Sequence, residues 1–542
     1  MERNLIITGG QIWTGCKEAI FAESALVKND RFIATGSFEQ MKTLSQGQET
    51  IVLDTDGGLI IPGISDAHAH LTAYCKQNLY LDLSQTKSFD ELCSLVKEYA
   101  SKVPADMWIR GINYNDSNWK EAISFTRNDL DKINLNSPIL ISRYCGHVHV
   151  ANTKALKTSF LFNDLSDNKD IARDREKIPT GVLYDGAVSP IIKIIEEIYE
   201  NPSEVSQMIL DGCKKFASFG ITSVHACDAA SFGLGEDFMA LQKLNKKGLL
   251  PLRVSMWLDS LPNFEISSGF GDTMLQYGGL KLFLDGNLGG RTAAMRECFT
   301  DDPGNIGQLI YSDEHLEEIL HTAFTKHIQV QIHVIGDRAT DQAIRVIDKI
   351  VSSNKSTPHL PIRLNHVIVC PYDQIEKLKK IPVTIDVQPI QAYTDRAMAP
   401  QRLGTERMRG AYSYKSMYDS GILMTGSSDA PMENPNPWLG IWAAVCRCND
   451  FGQPLKDFPE SEKLSLHEAL TLYTTMPPTV IGAGNHLGRI APGYLADFAV
   501  LETNPFYEKD MAESLKNVKT KLTFCNGRLT FGKLDGWEIF GK

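Results

Sequence analysis

Eight short apolar runs recur along this 542-residue chain, and they restrict its fold more than any other feature. They span residues 64–70, 221–225, 252–257, 280–285, 330–333, 362–366, 383–387 and 422–426, and each has the length and β-branched content of a buried strand. Helical patterns at 203–219, 313–326, 340–351 and 373–380 lie between several of them. Strands alternating with helices predict a parallel sheet, and eight such units in order predict an α/β fold of the (β/α)8 TIM barrel type. A doubly wound sheet is the rival, but no Gly-rich dinucleotide loop follows any of the strands.

The flanks have a different texture. Residues 1–62 are short strands punctuated by glycine, and residues 487–542 carry a strand at 498–501 and a hairpin pattern around Asn526-Gly527. Neither end is large enough to bury a core alone, so the two are expected to pair as one small β-sandwich domain. The barrel then occupies 63–486. A long insertion at 75–200, after its first strand, interrupts the βα rhythm and is expected to roof the barrel mouth.

The net charge of −11 argues against nucleic acid or an anionic membrane as a partner. Eleven cysteines without a Cys-x-x-Cys pattern read as reduced thiols. No apolar run is long enough to span a bilayer and no targeting segment is evident, so a cytoplasmic location is expected.

Barrels of this kind gather their chemistry at the C-terminal ends of the strands. His68 and His70 share one face of the first strand, Lys281 lies on the fourth, His333 and His366 end the fifth and sixth, and Asp429 follows the eighth. Taken singly, each has an ordinary reading: His366 as a core histidine, Asp429 as a helix cap before Pro431. Four imidazoles and a carboxylate at one mouth are a metal site by residue type. Lys281 shares its face with Phe283 and Asp285, opposite Leu280, Leu282 and Leu284, so it points inward. Either it forms an interior ion pair with Asp285 or another carboxylate, or burial lowers its pKa and the neutral amine takes up CO₂ to become a carbamate bridging two metals. His147, in the insertion, is a candidate for contacting substrate or an oxyanion. Arg143, Asp285 and Gln388 are further candidate substrate contacts.

The segments 62–70 (PGISDAHAH), 281–286 (KLFLDG) with 291–293 (RTA), 333–339 (HVIGDRA), 387–389 (VQP), 426–431 (GSSDAP) and 488–497 resemble those of the amidohydrolase superfamily, over essentially the whole chain. Within it they are similar to the YtcJ-like branch, which includes N-substituted formamide deformylases; 146–152 and 179–185 in the insertion look like the same branch. The resemblance implies that His68, His70, Lys281, His333, His366 and Asp429 hold two divalent metals, zinc first, with iron, manganese or nickel also suited to the donors. It implies a carbamylated Lys281 as the bridge. The implied reaction is hydrolysis of a non-peptide, amide-type C–N bond of a small molecule by metal-activated hydroxide, with Asp429 moving the proton. A homodimer is the oligomer that the resemblance implies. Two positions depart from the family pattern, which often has Glu where Asn365 and Asp185 stand. The rival functions are a one-metal deaminase on the same fold and a non-catalytic binding or regulatory scaffold.

Overall fold

The computed structural model describes residues 4–540 apart from 78–79, 105, 117–118, 120–123, 135, 144–147, 165, 167, 200–201, 229–233, 263, 354–356 and 534–537. Contacts divide the chain into two units. One comprises Met1–Thr72, Cys213–Gly235 and Leu241–Lys542; the other comprises Ala73–Gly212 with Glu236–Ala240.

The first unit contains the eight-stranded parallel sheet. In chain order its strands are β1 (Ile64–Ala69), β2 (Ile221–Ala226), β3 (Arg253–Leu258), β4 (Leu275–Phe283), β5 (Gln329–Val334), β6 (Ile362–His366), β7 (Val383–Val387) and β8 (Leu423–Gly426). Neighbours in sequence are neighbours in the sheet throughout. These strands are mostly buried on both faces; several, such as Gln329–Val334 and Val383–Val387, still alternate polar and apolar residues, because the polar side chains Gln331, Arg363 and Asp386 are hidden in the barrel interior. The seam between the first and last strands is drawn together just past the end of β8: Asp429 N donates to His68 O (2.8 Å) and His70 N donates to Ala430 O (2.7 Å). The helix Asp337–Ser352 shows how the outer layer is held. Its buried Ala339, Ala343, Val346, Ile347 and Ile350 recur at helical spacing on the sheet side.

β4 starts at Leu275, five residues earlier than the apolar run predicts, because Gly278 and Gly279 look like a break in the sequence. In the structure they are where the strand passes the Trp257 ring. A Cβ on Gly278 would lie 2.5 Å from that ring, and one on Gly279 would lie 2.0 Å from the Gln329 carbonyl oxygen. Gly278→Ala is therefore expected to destabilise the protein by about 1–3 kcal/mol, the cost of overpacking a filled interior. Urea denaturation would test this, and an unchanged midpoint would remove Trp257 as the reason for the glycine.

The chain ends also pair as strands. A six-stranded sheet runs Arg528–Phe531, Thr520–Cys525, Phe498–Leu501, Leu59–Pro62, Gln11–Trp13, Phe21–Ala22. A five-stranded sheet runs Glu538–Phe540, Thr50–Asp54, Asn4–Thr8, Ser24–Lys28, Arg31–Gly36. Ile7, Val27 and Phe32 from the second sheet share one apolar core with Ile60, Phe498 and Phe524 from the first. Leu59–Pro62 leads directly into β1, so this sheet positions the strand that carries His68. Beneath the barrel, Arg253 at the start of β3 meets Asp497 through Nε–Oδ2 (2.7 Å) and Nη2–Oδ1 (2.8 Å), both side chains buried.

The second unit has its own sheet, ordered Ile171–Arg173, Pro179–Tyr184, Val148–Ala151, Ile139–Arg143, Ile109–Tyr114, Leu81–Asp82. Aromatic residues Tyr114, Trp119 and Phe125 pack in one of its two apolar clusters. Among the described residues no helix is long and apolar enough to cross a membrane, and no disulfide joins the described cysteines.

Candidate metal centre

The C-terminal end of the barrel brings together the ligands expected from sequence. His68 and His70 project from β1 and just beyond it, and their Nε2 atoms lie 3.1 and 3.4 Å from the same Asp429 oxygen, Oδ1. One donor atom from each of these three residues fits within a sphere of mutual distances below 4.8 Å. His366 and His333 continue the array: ring centroids are 5.5 Å apart for His70 and His68, 5.4 Å for His68 and His366, and 4.5 Å for His366 and His333. Lys281 is fully buried and its ammonium lies over the Phe283 ring at 5.1 Å.

The electrostatics favour a cation. Burial pushes His68 down to about 3, with Lys281 adding to the effect, and pushes His333 down to about 4 and His366 well below the usual range. These imidazoles are neutral and can offer a lone pair. Burial opposes the charge of Asp429, yet the imidazoles beside it hold its carboxyl well below the usual carboxylate range. Burial disfavours a charged His70, but Asp429 beside it outweighs this and raises its pKa, so the positive charge this anionic oxygen calls for is supplied either by a protonated His70 or by a divalent ion with His/His/Asp donors. The residues present therefore fit a metal. Burial also lowers Lys281 to about 8, within reach of the neutral amine.

Backbone conformation contributes to the arrangement. His366 (φ 75°), Val367 (φ 47°) and Asp429 (φ 61°) are all left-handed, an uncommon conformation for non-glycine residues and strongly so for a β-branched valine. The turn at His366 breaks the strand's alternation, so consecutive residues Asn365 and His366 both reach the interior. Strain of this kind persists where surrounding contacts over-determine it, which is typical of functional sites.

The remaining expected site residues have other surroundings. Lys281 Nζ donates to Asn365 Oδ1, not to Asp285. Both Asp285 oxygens are taken by backbone N–H groups of Ala294 (2.9 Å), Ile335 (3.0 Å) and Gly336 (2.8 Å), so its carboxylate ties the β4 and β5 loops. Gln388 is buried behind His366, whose Nδ1 lies 2.7 Å from Gln388 Oε1. Arg143 belongs to the second unit, where its Nε donates to Asp116 (2.7 Å). His147 lies outside the described residues.

Several polar residues around the centre carry no motif. Cys227 Sγ lies 3.0 Å from His68 Nδ1 and donates to Gln331 Oε1 (2.8 Å). Both Asp228 oxygens accept from Thr72 N (3.1 and 3.2 Å), fixing the turn that follows His70. Arg363 and Asp386 form a fully buried ion pair (3.0 Å) deeper in the barrel. The available signal was parity: Gln331 is two residues from His333 and Asp386 two from Gln388, so each pair shares an inward face.

A family model described as the amidohydrolase family matches residues 52–531. The chain is 31% identical over 530 residues to YtcJ of Bacillus subtilis (strain 168), an amidohydrolase by name, covering 97% of this chain and 99% of that protein. It is 22% identical over 548 residues to the N-substituted formamide deformylase of Arthrobacter pascens, covering 98% of each. Among solved structures it superposes, with a TM-score of 0.78 and 27% identity, on an uncharacterized metal-dependent hydrolase from Pyrococcus horikoshii OT3; the match covers 93% of this chain and 99% of that one.

Proposed function

This chain belongs to the amidohydrolase family, and from that premise we propose that its barrel mouth hydrolyses a non-peptide, amide-type C–N bond of a small molecule. The observation that carries the reading is the convergence of His68 Nε2, His70 Nε2 and the Asp429 carboxylate on one point at the C-terminal end of a parallel barrel. The deformylase of Arthrobacter pascens supports N-substituted amides as the first substrates to screen.

His68, His70 and Asp429, together with His333, His366 and Lys281 as its carbamate, are the residues that would hold a pair of divalent ions. The bound ions would supply Lewis-acid polarisation of the carbonyl and an acidified water. Asp429 would hold the attacking water, take its proton during attack at the carbonyl carbon, and deliver that proton to the leaving amine nitrogen. Its low proton affinity keeps it in the base form at neutral pH, ready for the first of these transfers. Burial of Lys281 keeps a neutral amine accessible, which is the form that adds to CO₂.

One observation favours a second reading. The compact donor group contains only His68, His70 and Asp429, and Lys281 is bonded to Asn365, as in a one-metal centre with an ordinary lysine. Elemental analysis of protein expressed with and without added zinc, repeated on Lys281→Ala, separates the two. About two ions per chain, falling sharply in the variant, are expected for the bridged centre. A single ion unaffected by the substitution would overturn the bridge and turn the screen toward deamination. A metal-free protein after zinc supplementation would leave a binding scaffold.

A further inference from the structure

We infer that two buried carboxamides, Gln331 and Gln388, are positioning residues that fix the tautomers of His68 and His366, and that both are oriented from Asp386, the first through its carboxylate and the second through its backbone carbonyl. The inference rests on the proposed metal centre, but its atoms can be followed without any metal.

An amide side chain can be turned end for end, so its orientation must come from a neighbour whose role is not in doubt. Asp386 is such a neighbour: its carboxylate accepts from Arg363 Nε (3.0 Å) and can only accept. Asn365 Nδ2 therefore donates to Asp386 Oδ2 (2.7 Å), which leaves Asn365 Oδ1 to accept from Lys281. The same Nδ2 faces Gln331 at 3.3 Å, so the Gln331 atom there is its oxygen, which also accepts from Cys227. His68 Nδ1 lies 3.3 Å from that oxygen and is thereby assigned the proton. Nε2, which faces Asp429 Oδ1 at 3.1 Å, is then the nitrogen that would offer its lone pair to a bound cation.

The second path starts from the backbone of the same residue. The Asp386 carbonyl oxygen accepts from Gln388 Nε2 (3.2 Å), which also donates to Ser427 Oγ (2.8 Å). Gln388 Oε1 then faces His366 Nδ1 at 2.7 Å and makes it the protonated nitrogen. His366 Nε2 becomes the free lone pair. Two histidines from opposite parts of the sheet are thus given the same tautomer, the one that leaves Nε2 able to bind a cation. The sequence departure at Asn365 has a role in this scheme: it carries the orientation from Asp386 to Gln331.

The relay also selects its own control. Among the described residues Gln331 Nε2 is buried without a hydrogen-bond partner, so Gln331→Glu keeps the accepting oxygen and exchanges the orphaned amide nitrogen for a second acceptor, with a negative charge that also favours a bound cation. Gln331→Leu and Gln388→Leu remove the acceptor. Zinc affinity, measured by competition with a chromogenic chelator, is expected to fall about 10–100-fold in each leucine variant, and Gln331→Glu is expected to recover most of the loss. Zinc binding as tight as wild type in both leucine variants would overturn the inference, and so would an equal loss in Gln331→Leu and Gln331→Glu. Should the leucine variants fail to fold, nitrogen NMR of wild-type protein labelled in histidine reads the tautomers directly. Nδ1-protonated His366 is expected in the metal-free protein, and its protonation at Nε2 would overturn the assignment; His68, whose Nε2 faces the Asp429 carboxylate at 3.1 Å, is read in the zinc-loaded protein, where a proton on Nε2 would do the same. Wild-type protein that takes up no zinc would instead count against the proposed function, since the His366 result does not depend on metal.

Discussion

Asp429→Asn is expected to lower kcat about 10²–10⁴-fold, the usual contribution of a positioned acid–base group, while leaving the barrel folded. Asparagine keeps the size of the side chain and tolerates the left-handed backbone at this position, φ 61°, better than alanine would. It also keeps the backbone N–H that donates to His68 O. What it removes is the anionic oxygen on which His68 and His70 converge, and with it both a metal donor and the proton acceptor. The measurement is steady-state hydrolysis of whichever N-substituted amide the wild type cleaves, with zinc content determined on the same samples. A variant that keeps full metal and loses only kcat would assign Asp429 chiefly to proton transfer; one that loses both would make it first a ligand. Retention of wild-type kcat would sink its assigned role.

Asp497→Ala is expected to destabilise the protein by about 3–5 kcal/mol, the range for removing one partner from a buried ion pair. Arg253 would be left with its charge buried, the Nε and Nη2 donors to Asp497 orphaned, and only Thr273 O (2.8 Å) and Asn526 Oδ1 (3.2 Å) as oxygen partners. The same substitution frees the Asn526 N–H that Asp497 now accepts (2.7 Å), at the turn of the C-terminal hairpin. Urea denaturation of the metal-free protein gives the loss. The double variant Arg253→Met/Asp497→Leu should recover a large part of it, because replacing both members of a buried pair is far less costly than removing one. A single-variant loss below about 1 kcal/mol would mean that the pair is solvated as a surface salt bridge is.

The barrel was legible in the sequence because eight strand-length segments rich in apolar and β-branched residues recur in order, with helical patterns between several of them. The pairing of the chain ends was legible for a different reason: neither end has enough apolar surface to stand alone. The candidate donors His68, His70 and Asp429 could be read because a His-x-His on one strand face and an Asp after the last strand fall at the same end of a parallel barrel. Gln331, Asp386 and Arg363 could not, since polar residues on a strand look like exposed positions until the strand is known to face a barrel interior. The insertion was the least legible part. Of its strands only the one near 138–142 was expected; Ile109–Tyr114, Val148–Ala151 and Pro179–Tyr184 have mixed polar and apolar residues, or a proline start, that mask the pattern. The early start of β4 was hidden by glycines that serve close packing and do not mark a turn.

The pairing of Leu59–Pro62 with Phe498–Leu501 has a consequence for how a cell makes this protein. A ribosome adds about 5–20 residues per second, so the roughly four hundred residues between these strands occupy tens of seconds of synthesis. Throughout that time the segment leading into the first barrel strand has emerged with its early neighbour Gln11–Trp13 but without its C-terminal one, so its other edge stays open to solvent or to a chaperone. The sheet that seats His68 is thus among the last parts of the molecule to be completed, although His68 itself is among the earlier residues translated.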